Sequence, residues 1–406
     1  MSCEPANHSE LVIGPGRTYP QSKMQLSSED SLKLNVLVAT VQAVRIDEHQ
    51  MRVLGLIDEN VAQVELHPTG PSEQYLRCVR AFLATSAFGS PTGYPLHLKH
   101  WTRLGSIQNT DPESLLMLGE EEAAVAASRI PGLSDELARR IWWIVPTAEV
   151  ARFLLANPAV IAGRMGPTLV NHLIDYLPFE TEPIAAIESI GLLLGTGLLD
   201  AAKMTDLWHK AKRRNHYYVG FLRSHARRLP APLPAHTGYA QLAERIGRSE
   251  NPYSQELLYL LSGPGQTFLN TCERVLAKPS DQEVVVALLD AMAAHFNYLR
   301  RPKDVWTDVE ELNDYVASAC ADPRLHSKSL ATLLDEAPEW KAEIAAMLVL
   351  IYTDEGLVRH QFARTDAVGS VMRNKIAPVT TPLVRRLQTL QAPLPRQHNK
   401  PAGTLK

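Results

Sequence analysis

The feature that most constrains the fold is a run of short amphipathic helical segments from Asp111 to Leu229, separated by Pro or Gly. Asp111-Pro112-Glu113 has the form of a helix start, because Asp accepts hydrogen bonds from free N–H groups and Pro is tolerated in the first turn. Pro131-Gly132 and Pro146-Thr147 interrupt the apolar pattern. Helices with one apolar face must pack on one another, so the sequence predicts a mainly α-helical protein.

The spacing of these segments leaves two helical architectures open. Successive starts lie roughly 13 to 20 residues apart, about the spacing of HEAT-like helix pairs, whose repeat is about 40 residues. No strict consensus recurs along the run. The prediction is therefore either an irregular α-solenoid of the HEAT-like kind or a helical bundle.

A different pattern precedes the helical run and predicts a small N-terminal α+β cap over residues 25–108. Three β-rich runs at Ala43–Asp47, Met51–Ile57 and Val61–Leu66 are joined by short turns and indicate a β-meander. Ser31–Ala39 is predicted as a short helix or strand, and Tyr75–Ala87 as a helix that covers the meander. The composition of Gly89–Pro95 favours a loop.

The remaining boundaries follow from changes in composition. Pro230, Pro232 and Pro234 mark a linker. Two capping boxes, Ser280-x-x-Glu283 and Thr307-x-x-Glu310, support helices beyond it. The predicted organisation is a disordered extension at 1–24, the cap at 25–108, a helical array at 109–229, a Pro-rich linker at 230–238, a second helical region at 239–390 and a disordered tail at 391–406.

Composition excludes several classes of protein. The 406 residues are 45 % hydrophobic and 21 % charged with a net charge of -3, which makes no global demand for nucleic acid or membrane. The four cysteines form no CxxC pair, so we expect no disulfide framework. We expect the protein to reside in a reducing cytoplasm. Ile184–Leu199 is the most apolar stretch, but it is too short to span a bilayer and contains Glu188.

The strongest local anomaly is a basic segment from Lys203 to Arg228, in which eight Lys or Arg residues face the single acid Asp206. Cations pair with phosphates and aromatic rings can stack on bases, so one interpretation is a nucleic-acid surface. A second is a surface for an acidic protein partner. A third is two helices with solvated basic faces and with their aromatic side chains in the core. The interleaved aromatic residues are Trp208, Tyr217, Tyr218 and Phe221.

This segment supplies the predicted partner-binding residues. The charged rim is expected from arginines near the ends of the two helices. The predicted set is Lys210, Lys212, Arg213, Arg214, Tyr217, Arg223, Arg227 and Arg228.

No catalytic signature accompanies these patterns. GxSxG, HExxH and a complete phosphate loop are absent from the sequence. His97-x-x-His100 lacks further ligands at metal-site spacing and is interpreted as two surface histidines. Trp142-Trp143 is interpreted as packing. We therefore expect no catalytic residue, no metal ligand and no cofactor.

Three passages carry a family resemblance: Leu26–Leu37 (LSSEDSLKLNVL), Gly89–Leu104 (GSPTGYPLHLKHWTRL) and the stretch from Leu115 to Trp143. Over residues 24–390 the chain resembles the DsrS family, the cytoplasmic sulfur reduction proteins encoded with the dissimilatory sulfite reductase system of sulfur-oxidising bacteria. The resemblance implies an accessory protein of sulfur oxidation. The family brings no established active site, so no functional residue is carried over.

Together these expectations describe a non-enzymatic cytoplasmic scaffold or adaptor with a protein partner from the sulfur-oxidation machinery and no membrane association. The alternative is a nucleic-acid-binding regulator of sulfur-oxidation gene expression that uses residues 203–228. Such a role also fits the genetic setting that the resemblance implies.

Overall fold

The computed structural model describes residues 25–89, 111–300, 306–363 and 367–391. Within them the chain forms 21 α-helices and one three-stranded antiparallel sheet, which confirms the predicted mainly α-helical fold with a small β-containing N-terminal part. The predicted extension at 1–24, most of the predicted loop, His97, His100 and residues 392–406 lie outside the described ranges.

The chain divides into two compact units, Met1–Pro146 and Thr147–Lys406. The first unit contains the sheet. Its described elements are α1 (Ser28–Thr40), β1 (Ala43–Asp47), β2 (Arg52–Ile57), β3 (Asn60–Glu65), α2 (Ser72–Phe88), α3 (Pro112–Leu116), α4 (Glu121–Ser128) and α5 (Asp135–Ile144).

The predicted meander is confirmed, with strand ends that differ from the prediction by one residue. The strands pair in the order β1-β2-β3, and Val53 lies opposite Ile46 on one side and Val64 on the other. A three-stranded sheet is marginal alone, so it needs helices on its apolar face. The segment predicted as a helix or strand at Ser31–Ala39 is the helix α1.

Helices α1 and α2 supply that cover. Gly55 on β2 allows α1 to approach closely, since a Cβ atom there would lie 2.4 Å from Val41 Cγ1 and 2.9 Å from Leu37 Cδ1. The shared core is aliphatic except for one tyrosine that also reaches a buried carboxylate. It comprises Leu34, Leu37, Val44, Val53, Val64, Leu66, Tyr75, Leu76, Val79 and Leu83.

Helices α3 to α5 also belong to the first unit. Arg45 on β1 donates to the carbonyl of Trp143 at 3.1 Å, and its guanidinium lies 5.0 Å from the centre of the Trp143 ring. Arg139 on α5 donates to the carbonyl of Asp58 at 2.6 Å. The first helices of the predicted array therefore pack with the meander, and the two compact units divide at Pro146.

In the described residues of the second unit the regular secondary structure consists of helices. Short 3₁₀ turns follow several of its helices at 177–179, 226–228, 297–299 and 338–340. Its helices are α6 (Ala148–Leu154), α7 (Pro158–Ala162), α8 (Met165–Tyr176), α9 (Pro183–Gly195), α10 (Ala201–Lys210), α11 (His216–His225), α12 (Tyr239–Ile246), α13 (Pro252–Leu261), α14 (Gly263–Ala277), α15 (Gln282–Phe296), α16 (Val309–Ala321), α17 (Pro323–His326), α18 (Lys328–Glu336), α19 (Lys341–Tyr352), α20 (Gly356–Phe362) and α21 (Gly369–Thr389).

Helices that are distant in the sequence pack together in this unit. Helix α14 contacts α21, where Gln266 Nε2 donates to the carbonyl of Leu390 at 2.8 Å and Gln388 Nε2 donates to Glu273 at 2.7 Å. Helix α15 contacts α9, α11 and α19. In a solenoid each repeat contacts only its neighbours, so this pattern is that of an irregular bundle.

The Pro-rich segment predicted as a linker at 230–238 lies inside the second unit. The backbone N–H of Leu233 donates to Thr267 Oγ1, and that of His236 donates to the carbonyl of Leu261, both at 2.8 Å. The segment therefore joins helices of one compact unit.

The two predicted capping boxes are wrong by one residue. Helix α15 is capped by Asp281, whose carboxylate accepts from Val284 N at 2.9 Å, and the Ser280 hydroxyl donates to that carboxylate. Helix α16 is capped by Asp308 rather than by Thr307. A carboxylate is charged and favoured at the positive end of the helix dipole, so Asp replaces the neighbouring hydroxyl.

Candidate interaction surface

The basic segment folds around one buried helix. Helix α10 begins at its cap Asp200, which accepts from Lys203 N at 2.7 Å. In α11 all six residues of the stretch 217–222 are buried. Gly220 lets α11 approach α9, since a Cβ atom there would lie 2.6 Å from Ile190 and 2.9 Å from the carbonyl of Ile187. Helix α11 is thus a core element of the second unit.

Burial of α11 separates the predicted cations into two groups. The helix has 10 residues, which at about 1.5 Å per residue places its ends about 15 Å apart. We call the cations before α11 the leading group and those at its end the trailing group. The leading group is Lys210, Lys212, Arg213 and Arg214, and the trailing group is Arg223, Arg227 and Arg228.

Two members of the leading group are used inside the unit. Lys210 pairs with Asp206 at 2.8 Å. Arg214 donates to the carbonyl of Pro178 at 2.7 Å and to that of Glu180 at 3.3 Å. Lys212 and Arg213 are exposed and form no ion pair with any residue that the structure describes. Two neighbouring cations therefore remain available at this end of α11.

Tyr217, the one aromatic residue in the predicted set, is part of the core. Its hydroxyl is buried and donates to the carbonyl of Leu177 at 2.8 Å. Burial raises the pKa of Tyr217, and the nearby Arg214 reduces that increase. Tyr217 therefore anchors α11 and presents no ring face to a partner.

The other aromatic residues of the basic segment are buried with it. Trp208 is 7 % exposed and makes edge-on contacts with Tyr218 and Phe221, at ring-centre distances of 4.8 and 5.1 Å. Base stacking requires an exposed ring face. In this conformation these aromatic side chains offer none, as the interpretation with aromatic residues in the core predicts.

The three members of the trailing group have different environments. Arg228 is exposed and forms no ion pair with the described residues. Arg223 is exposed and borders a groove. Arg227 Nη2 lies 2.5 Å from Oε2 of Glu256, whose side chain is completely buried. Only Arg227 is therefore committed to an internal ion pair.

The groove beside Arg223 has a volume of about 560 Å³ and lies between α9, α11, α15 and α20. We call its apolar lining residues Ile184, Val286, Ala287 and Phe362 the floor. We call its charged lining residues, which carry both signs of charge, the rim. The rim residues are Arg223, Glu283, Asp290, Glu355 and Arg359.

Two charged side chains of opposite sign, Arg223 and Asp290, line the groove. Partial burial raises the pKa of Asp290, Glu355 adds to the increase, and Arg223 and Arg359 reduce it. Arg359 is paired with Glu355 one helical turn away. Arg223 and Asp290 have no such partner within the described residues and remain available for a ligand.

A buried cluster centred on Glu256 was not predicted from the sequence. Its carboxylate accepts from Arg227, from the Tyr298 hydroxyl and from His295 Nε2, the last at 3.0 Å. Burial alone raises the pKa of Glu256. The hydrogen bond and charge of His295, the Tyr298 hydroxyl and the Arg227 charge outweigh it, so the pKa lies below its ordinary value of 4.5. The group is held as a carboxylate.

The sequence carries one weak signal for this cluster. Glu256 lies in α13, where Leu257, Leu258, Leu260 and Leu261 follow it and are all buried. A single acid inside such a run has to face a donor or reach water. The identity of the donors does not follow, because they come from residues 29 to 42 positions away.

His216, the first residue of α11, packs against an aromatic ring. Burial, with a smaller contribution from Arg214, lowers the pKa of His216 to about 4. His216 and Tyr217 pack edge to face, with ring centres 5.0 Å apart. Within the described ranges no three His, Cys, Asp or Glu side chains are arranged to hold a metal ion, and His97 and His100 lie outside those ranges.

Comparisons of the chain with protein-family models, curated proteins and solved structures find no match. Among the helices that the structure describes, none has both the length and the apolar character needed to cross a membrane.

Proposed function

We propose that this chain is a non-enzymatic cytoplasmic adaptor that docks a protein partner, and that the partner belongs to the dissimilatory sulfur-oxidation machinery. The observation that carries the docking role is the groove beside Arg223, where an apolar floor is bordered by charges of both signs. The resemblance to the DsrS family supports the choice of pathway.

The groove favours an amphipathic helix as its occupant. Such a helix places its apolar stripe on a hydrophobic floor while polar contacts at the border set its orientation. Val286 and Phe362 are half-buried on the floor and remain partly accessible to a partner. Arg223 and Asp290 supply a donor and an acceptor for the polar flanks of the same helix.

The proposal is tested by affinity capture of the tagged protein from cells that oxidise reduced sulfur. The variants are Arg223→Glu at the rim and Val286→Glu on the floor. Val286→Glu places a carboxylate in the apolar part of the groove, where its burial in the complex costs at least about 1–3 kcal/mol. A loss of 1.4 kcal/mol is about a tenfold weaker complex. We expect both variants to lose an identified sulfur-oxidation protein that the wild type retains.

Lys212→Glu is the matched control, because it makes the same charge change at the other end of α11. Retention of the partner by this variant and loss by the two groove variants supports docking in the groove. Equal retention by all three variants, in folded protein, would remove the groove from the proposal. Loss in Lys212→Glu alone would move the docking site to the leading group.

The second candidate function is a nucleic-acid-binding regulator of sulfur-oxidation gene expression. It is supported by the exposed pair Lys212 and Arg213. The logarithm of the affinity for DNA falls by roughly 0.9 per phosphate contact for each tenfold rise in salt concentration. With about two contacts, the affinity therefore falls only about 12-fold between 50 and 200 mM salt. A DNA or RNA affinity with that slope, abolished in Lys212→Ala/Arg213→Ala, supports the regulator. Nucleic acid absent from the captured complex at low salt argues against it.

A further inference from the structure

Arg227 occupies a small cage that is suited to a planar cation. Its guanidinium carbon lies 4.4 Å from the centre of the Tyr259 ring and 5.8 Å from that of Tyr298. Its Nη2 atom lies 2.5 Å from the carboxylate of Glu256. Ring faces attract cations at distances up to about 6 Å, and a carboxylate binds guanidinium through charge-assisted hydrogen bonds. We call Tyr259, Tyr298 and Glu256 the cage.

Contacts other than those to Arg227 hold the cage. The Tyr259 hydroxyl donates to the carbonyl of Ala226 at 3.0 Å, and its ring packs against His295 with centres 5.4 Å apart. His295 is itself stacked on Phe268 at 4.5 Å. The Tyr259 wall is therefore fixed by the packing of α13, α14 and α15, and the Tyr298 wall is held to Glu256 by its hydroxyl.

Departure of Arg227 leaves the buried carboxylate with two donors. His295 Nε2 at 3.0 Å and the Tyr298 hydroxyl both remain in place. A buried charge that loses every partner is strongly destabilising, but one that keeps hydrogen bonds is much less so. The carboxylate is thus satisfied in part even when the cation is exchanged.

Arg227 and Tyr298 form the solvent side of the cluster. The side chain of Arg227 is 48 % exposed, whereas that of His295 is 3 % exposed. Arg227 belongs to the three-residue 3₁₀ turn that follows α11, and Tyr298 is 54 % exposed beside it. A cation from solution can therefore approach the cage on the side from which Arg227 enters.

We propose that the cage is a guanidinium-binding site, filled by the chain's own Arg227 and open to an arginine side chain or another guanidinium ligand that displaces it. The site is separate from the groove and does not depend on the adaptor role. Because Arg227 is tethered, it competes as a ligand at high effective concentration. An external guanidinium binds the wild-type protein more weakly than it binds a variant without Arg227.

The test is a titration with N-ethylguanidinium, followed by NMR of protein labelled with ¹³C in its tyrosine rings. Wild type and Arg227→Ala are compared, with Arg228→Ala as the matched control for the loss of one exposed arginine. N-ethylurea, which has a similar shape and no charge, is the control probe. We expect saturable shifts of Tyr259 and Tyr298 in wild type and Arg228→Ala, and affinity at least about tenfold higher in Arg227→Ala.

Two results overturn the proposal. One is the absence of saturable shifts in folded Arg227→Ala. The other is the absence of saturable shifts in wild type up to the concentration at which the protein begins to unfold, since Arg227 then never leaves the cage. The second result is decisive even if Arg227→Ala does not fold. An equal response to N-ethylurea also contradicts recognition of the cation.

A second arm separates two sources of the ligand. Free L-arginine and Nα-acetyl-L-arginine N-methylamide carry the same guanidinium, but the second has the uncharged backbone of a protein chain. Tighter binding of the capped form indicates an arginine in a protein, and tighter binding of the free form indicates a small molecule. Either result supports a guanidinium site.

Discussion

Asp30 in the first unit and Glu256 in the second are both completely buried carboxylates, and both accept from a tyrosine hydroxyl and a histidine ring. They differ in the third donor. Asp30 accepts from the backbone N–H of His67 at 2.8 Å, whereas Glu256 accepts from the side chain of Arg227. A backbone donor is fixed by the fold, but a half-exposed arginine is exchangeable. Similar burial therefore produces a structural clamp in one unit and a candidate binding site in the other.

The clamp around Asp30 joins three elements of the first unit. The residue lies in the first turn of α1, where its own N–H donates to the cap Ser27 at 3.0 Å. Its carboxylate holds the chain after β3 through His67 and holds α2 through Tyr75, whose hydroxyl lies 2.5 Å away. Burial raises the pKa of Asp30, but the Tyr75 and His67 hydrogen bonds outweigh it, so the pKa is below its ordinary value of 3.8.

The largest expected effect is that of Glu256→Ala, which removes the acceptor that Arg227, His295 and Tyr298 share. Breaking a buried pair on one side costs about 3–5 kcal/mol of the free energy of unfolding, and we expect the lower end of that range because the remaining charge, Arg227, is half exposed. Urea denaturation measures it. Glu250→Ala, an exposed acid of the same unit, is the control and is expected to stay within about 0.5 kcal/mol of wild type. A loss below about 1 kcal/mol in Glu256→Ala would show that the cluster contributes little to stability.

A smaller loss is expected for Asp30→Asn. The amide oxygen can keep the two contacts of Oδ2 with the Tyr75 hydroxyl and the His67 backbone N–H, but an NH₂ group then replaces Oδ1 opposite the His67 ring. The hydrogen bond from the His67 ring is lost, at a cost of about 1–3 kcal/mol for a buried group left unsatisfied. Denaturant unfolding with the matched control Glu29→Gln measures it, because Glu29 is exposed on the same helical turn. A larger loss for Asp30→Asn than for Glu256→Ala would contradict the expected order of the two variants.

The smallest effect is a dependence of stability on pH that both carboxylates share. The ordinary pKa is 3.8 for an Asp such as Asp30 and 4.5 for a Glu such as Glu256, and the pKa of each group in the folded protein lies below that value. In acid the unfolded chain therefore binds protons more readily than the folded one, so this part of the stability is present above the ordinary pKa values and is lost as the pH falls below them. Because its ordinary pKa is the higher, the contribution of Glu256 is lost first.

Urea denaturation between neutral and acidic pH measures that loss. The variant Asp30→Asn/Glu256→Gln has no ionisable group at either site and is expected to lose less stability on acidification than wild type. An equal loss in both proteins would mean that the two carboxylates are not held ionised in the folded state.

Local patterns predicted much of the secondary structure. The three strands, the helix that follows them and the helical series after Asp111 are specified by apolar periodicity and by turn residues, which act within a few positions of the chain. The caps at Asp281 and Asp308 were misassigned by one residue. Neighbouring polar side chains compete for the same N–H groups, and the sequence pattern does not rank them.

The candidate site was predictable only as a segment. The excess of positive charge at 203–228 is visible in the sequence, and Lys212, Arg213 and Arg228 are exposed as a surface requires. The division into leading and trailing groups was not visible, because it follows from the burial of α11 by other helices. The pairing of Arg227 with Glu256 could not be predicted from the sequence either, because the two residues are 29 positions apart.

The sequence by itself determined which segments form helices and strands, which positions are apolar and where positive charge is concentrated, because these properties depend on near neighbours. Only the tertiary structure decided that α11 is buried, that Arg223 borders a groove and that Arg227 fills a cage. The physical reason is that the hydrogen-bond donors, ring faces and apolar side chains come from helices distant in the chain. Packing of the whole unit brings the donors within hydrogen-bond distance and the rings and apolar side chains into contact.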